Sequence, residues 1–165
     1  TTEIYTLSLH DALPILLYII TNAVLFSFIM TNENIPQALA EWMLGNGLGA
    51  IAFLLAVNVL LLLAGNFMEP SSIVLIFAPI LFPVAMKLGI DPVHFGIIMV
   101  VNMEVGMCHP PVGLNLYVAS GITKMGITEL TEAVWPWLLS MLVFLGIVTY
   151  WPGLSLWFPR MLGMM

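Results

Sequence analysis

Within one long apolar stretch, residues able to carry charge or offer lone pairs stand close together: Glu104, Cys108 and His109, followed at once by Pro110 and Pro111. A buried carboxylate can hold a cation or move a proton, and an imidazole can titrate near neutral pH. The prolines bring backbone chemistry as well. Each removes the hydrogen bond to a carbonyl four residues back, here those of Gly106 and Met107, while Gly106 and Gly113 let the chain bend on either side. Asn102 and Asn115 flank this point, placed either to bind its loosened backbone or to touch a substrate. A second set of oxygen donors lies upstream in GNFMEPSS, where Gly65, Asn66, Glu69, Ser71 and Ser72 offer carbonyls, a carboxylate and hydroxyls suited to hard cations and small anions. Enzyme chemistry is not indicated: there is no HExxH, no GxSxG and no close cluster of His, Cys and Asp. Cys108 is the single cysteine, so it has no internal disulfide partner and no zinc pattern, and reads as a small packed side chain.

These groups must be positioned by helices that cross a membrane. Hydrophobic residues make up 61 % of the chain and charged residues only 7 %, with a mean hydropathy of +1.09, so a solvated surface cannot be built. The net charge of −6 comes from scattered acids against Lys87, Lys124 and Arg160, with no run of either sign, which excludes nucleic acid as a partner. Asp91 can cap a helix whose first position is Pro92. From there, at about 1.5 Å per residue, Glu104 lies roughly 18 Å along and the double proline roughly 25 Å. Both depths fall inside a hydrocarbon core about 30 Å thick. Apolar sequence resumes at Val112, so residues 91–122 read as one membrane helix broken in its middle. Loosened carbonyls, a carboxylate and an imidazole at that depth must be buried in protein or line a cavity.

The rest of the chain arranges itself around that break. Residues 1–14 are mixed and polar, lack a basic start and a small-residue cleavage site, and are expected to be disordered or non-native; LSLHDALPI is similar to a translated sequencing adapter. Residues 15–165 form the membrane part. The apolar run Ile15–Met30 predicts a short span, and Asn34-Ile35-Pro36 starts an amphipathic helix carrying Trp42, expected at the membrane interface. Gly45, Gly47 and Gly49 end it in a turn. The apolar segments within 48–88, joined by GNFMEPSS, permit either two short spans with Glu69 in water or a re-entrant hairpin; the tip composition favours the hairpin. Pro79 and Pro83 bend its second limb. After the broken helix, GITKMGIT turns the chain, and Thr128 with Glu129 and Glu132 starts a second interfacial helix. Residues 135–151, bounded by Trp135 and Trp151, make the closing span, and the tail after it lies at the interface. His94, in the first turn after Asp91, reads as interfacial and inert. The fold class is therefore an all-α integral membrane protein.

The run from Gly65 to Ile122, GNFMEPSSIVLIFAPILFPVAMKLGIDPVHFGIIMVVNMEVGMCHPPVGLNLYVASGI, closely resembles the C-terminal part of the large membrane subunit of tripartite ATP-independent periplasmic (TRAP) transporters, in its C4-dicarboxylate branch. The resemblance implies one of two inverted repeats of an elevator-type permease in a bacterial inner membrane. It implies sodium-driven uptake of an organic acid, with a periplasmic binding protein and a small membrane subunit as partners, and no cofactor. Carried onto this sequence, the hairpin tip is Gly65, Asn66, Glu69, Ser71 and Ser72, and the break runs from Gly106 through Met107, His109, Pro110 and Pro111 to Gly113. Met68-Glu69-Pro70 stands where many members have a Leu-Asp-Thr-like tip, and His109 where many have threonine. Only one repeat is present, so the second hairpin of a midplane site is expected elsewhere. The alternative functional class is a passive channel or a structural membrane subunit, since broken helices also line pores. Backbone and hydroxyl oxygens outnumber titratable groups at both loops, which favours sodium over protons as the coupling ion.

Overall fold

The computed structural model describes residues 9–110 and 113–163, and among these the chain forms eight helices and no strand. Helix α1 (Leu9–Asn32) covers the whole apolar run 15–30 and starts earlier, at Leu9, with Pro14 inside it. Part of the N-terminal stretch is thus helical rather than irregular. Its polar side chains turn inward on their own helix, Thr21 to the Leu17 carbonyl at 2.7 Å and Asn22 to the Tyr18 carbonyl at 2.8 Å. Asn34 then turns the chain with φ 53° into α2 (Ile35–Gly45), making the corner with its backbone rather than with a side-chain cap.

Helices α3 (Ala50–Phe67) and α4 (Pro70–Lys87) form the hairpin, and only Met68 and Glu69 lie between them. The polar tip is shorter than its composition suggests. Gly65 and Asn66 complete the last turn of α3, while Pro70, Ser71 and Ser72 make the first turn of α4, because the Glu69 carboxylate caps that turn by accepting from the N–H groups of Ser71 and Ser72. Each limb has 18 residues, roughly 27 Å of helix. α3, α4 and the later α7 are long and apolar enough to cross a membrane.

Helix α5 (Pro92–Met107) begins as expected: Asp91 accepts from the N–H groups of Val93 at 2.9 Å and His94 at 3.2 Å. It lies against α3 along its length and forms the centre of the molecule, with Phe95 fully buried, stacked on Phe53 and edge-on to Phe82 of α4. After the break comes α6 (Leu114–Thr123), which packs on α7 (Ile127–Tyr150). Here the structure corrects two boundaries. The predicted interfacial helix from Thr128 and the closing span 135–151 are one continuous helix through Pro136, capped from Gly126. Its buried residues Leu130, Leu138, Leu145 and Val148 form a single stripe that crosses the proline, so one packed face runs through the boundary expected between the two elements. The tail is also a helix, α8 (Pro152–Met161), with Ser155 and Leu156 buried where it folds back over α5 and α7.

Candidate binding site at the helix break

The ends of α3 and α5 come closest at two glycines. A Cβ placed on Gly65 would lie 3.1 Å from the Gly106 Cα, and one on Gly106 would lie 2.9 Å from the Gly65 Cα, so neither position admits a side chain without moving the helices apart. This contact sets the hairpin tip beside the break. Asn66, the next residue, is 3 % exposed and reaches across: its Oδ1 accepts the Gly113 N–H at 3.0 Å and its Nδ2 donates to the Pro110 carbonyl at 3.3 Å. One amide side chain thus holds both sides of the break. Gly113 has φ 44°, and a Cβ there would sit 2.9 Å from the His109 carbonyl oxygen, which explains glycine at that corner.

The break itself is tighter than two lost helical bonds imply. Cys108 N–H donates to Val105 and His109 N–H to Gly106, each at 3.1 Å, so the last turn of α5 closes by shorter bonds. The Gly106 carbonyl, expected to be free, is therefore an acceptor already in use. Asn115 spans the break by donating to the Cys108 sulfur at 3.5 Å, and His109 is half-buried with its Nδ1 against the Pro110 carbonyl. Pro111 lies outside the described residues. Around this point the C-terminal end of α5, carrying partial negative charge, faces the N-terminal end of α6, whose Gly113 supplies no side-chain cap. Two helix ends of opposite polarity at one break can receive a cation and a carboxylate side by side.

Of the predicted residues, Gly65, Asn66, Gly106, Met107, His109, Pro110, Gly113 and Asn115 gather here. Glu69, Ser71 and Ser72 bond to one another instead. Glu69 accepts from the Ser71 and Ser72 hydroxyls, the latter at 2.7 Å, and all of these bonds stay within the hairpin turn. The Ser71 hydroxyl is the main reason the Glu69 carboxyl sits below its ordinary value; partial burial opposes this, and Ser72 adds to the lowering. Glu104 is exposed on the outer face of α5. Among the described residues no group of three His, Cys, Asp or Glu side chains could hold a metal ion.

One polar array was not foreseen. Asn102, fully buried, donates to Asn58 Oδ1 at 2.7 Å and to the Ile98 carbonyl at 2.9 Å. Asn58 donates in turn to the Thr149 hydroxyl at 3.0 Å, and that hydroxyl donates to the Leu145 carbonyl at 2.7 Å. His94 ends the chain with Nε2 at 3.2 Å from the Thr149 carbonyl; it is 3 % exposed, buried rather than interfacial. It borders a cavity of about 310 Å³ at the foot of the bundle, shared with Asp91 and Tyr150. The array joins α3, α5 and α7. Lone asparagines at 58 and 102 in apolar helices were the available signal.

Comparison with known families agrees with this architecture. Residues 7–154 match the family described as tripartite ATP-independent periplasmic transporter, DctM component. The chain is 75 % identical over 158 residues to the C4-dicarboxylate TRAP transporter large permease protein DctM of Rhodobacter capsulatus, covering 96 % of this chain and 36 % of that protein. It is 58 % identical over 149 residues to the protein of the same name from Pseudomonas aeruginosa, covering 90 % and 35 %. It is 37 % identical over 136 residues to the sialic acid TRAP transporter large permease protein SiaM of Vibrio cholerae, covering 82 % and 32 %. The chain spans about a third of the length of these relatives.

Proposed function

The chain belongs to the DctM family of tripartite ATP-independent periplasmic transporters, and from that premise we propose that it supplies one half of the binding site of a sodium-coupled C4-dicarboxylate permease. The observation that carries this reading is the Asn66 bridge, which ties the hairpin tip to a helix break whose two ends have opposite polarity. The α5 end suits sodium, which needs several hard oxygens and no titration, and the α6 end suits a substrate carboxylate. The dicarboxylate assignment rests on the two C4-dicarboxylate permeases, identical to this chain at 75 % and 58 % of matched residues, against 37 % for a sialic acid permease. On this reading the hairpin is re-entrant, the permease lies in the bacterial inner membrane, and a periplasmic binding protein and a small membrane subunit complete the system. The test is uptake by proteoliposomes holding a full-length permease that contains these residues together with its partners. Succinate accumulation under a sodium gradient at equal pH is the expected result. Accumulation driven by a pH gradient without sodium would overturn the ion assignment, and equilibration without accumulation would indicate a channel.

A further inference from the structure

Glu104 is the one charged residue inside α5, about 18 Å from the helix start, and its side chain is exposed. No cation in the described part of the chain serves it. Lys87 pairs with Glu41 at 3.7 Å, while Lys124 follows α6 and Arg160 lies in the last turn of α8. A carboxyl group at that depth needs a partner, because lipid offers it none. A bound metal cation is a poor match, since the side chains within one turn of Glu104 on α5 are Val100, Val101, Met107 and Cys108, which add no oxygen ligand. What fits is a directed donor of positive charge from another element.

The same face has the shape of a helix seat. Val93, Ile97, Val100, Glu104 and Met107 recur at helical spacing on the less buried side of α5, and a Cβ placed on Gly96 beside them would meet nothing within 4 Å, which leaves a notch. The relatives are nearly three times as long as the matched segment, which leaves further chain of a full-length permease to fill the seat. We propose that a membrane helix from the remainder of the full-length permease docks along this α5 stripe and places an arginine or lysine against Glu104. The pairing concerns assembly and stands apart from which ion or acid the site binds.

The experiment uses a full-length permease containing these residues, with C108S to remove the native thiol. E104C is combined in turn with cysteine at each basic position in the other membrane helices, and disulfide formation is followed by gel mobility. Charge reversal is read separately: E104R should lower the yield of monodisperse, detergent-extracted permease by about tenfold, and reversing the cross-linked basic residue to glutamate should restore most of it. A cross-link at one basic position together with that rescue would support the pairing. The inference is overturned if E104R and E104L are extracted in wild-type yield, or if no basic position cross-links and no reversal rescues E104R. Neither readout depends on uptake, so failure of the transport reading would leave this result interpretable.

Discussion

Asn66 Oδ1 accepts the Gly113 N–H at 3.0 Å across 47 residues of chain, and this bond ties the hairpin tip to the far side of the helix break. Without it the first turn of α6 would lose its partner, since Gly113 offers no side-chain cap of its own. The neighbouring Gly65–Gly106 contact makes the reach possible by bringing the two backbones together. Binding geometry here is thus a property of two distant segments held at one point.

Asn66→Leu should leave the buried Gly113 N–H without its Asn66 acceptor and take one donor from the Pro110 carbonyl, a loss of about 1–3 kcal/mol. In the full-length permease, uptake should fall at least about tenfold while membrane insertion persists. Normal uptake by N66L would mean that the bridge does not organise the site.

Gly106→Ala should force α3 and α5 apart, because its Cβ meets backbone at 2.9 Å and not the end of a flexible side chain. The expected cost is about 1–3 kcal/mol, seen as a lower midpoint of thermal unfolding in detergent. Gly121→Ala, where nothing lies within 4 Å, is the control and should leave the midpoint unchanged.

Glu69 has a lowered folded-state pKa, so its contribution to stability is present above the ordinary carboxylate value of 4.5 and is lost as pH falls through the lowered folded value. Between pH 6 and 8 the hairpin should show no pH dependence from this group. E69Q should remove the low-pH part of the stability change while leaving the neutral range flat, as followed by thermal unfolding across pH. A Glu69-dependent step near neutral pH would contradict the capping geometry.

Thr149→Val should leave the Asn58 amide with a buried, unpaired donor and destabilise by about 1–3 kcal/mol. Replacing Asn58, Asn102 and Thr149 together by leucine, leucine and valine should cost less than the sum of the single changes, because no polar group is then stranded. Additive losses would show that the three side chains act independently.

Much of this arrangement was legible along the chain because its causes are local. The Asp91-Pro92 helix start, the stop before the prolines and the corner at Gly113 follow from hydrogen-bond chemistry within a few residues, and the apolar composition required membrane helices. Local chemistry also placed the hairpin turn, though Glu69 capping made it tighter than the polar run suggested. Packing decided the remainder. Pro136 punctuates the sequence, yet one buried stripe from Leu130 to Val148 carries α7 through it. His94 looked interfacial, but the Thr149 carbonyl, 55 residues away, takes it inside. The Gly106 carbonyl looked free until the His109 N–H closed on it. Gly65 and Gly106 are only two glycines among thirteen until the fold presses their backbones together. Sequence alone determined which backbone groups needed partners and which segments had to avoid water; tertiary structure decided which partners they found, because those lie tens of residues away and are chosen by helix packing rather than by neighbours in the chain.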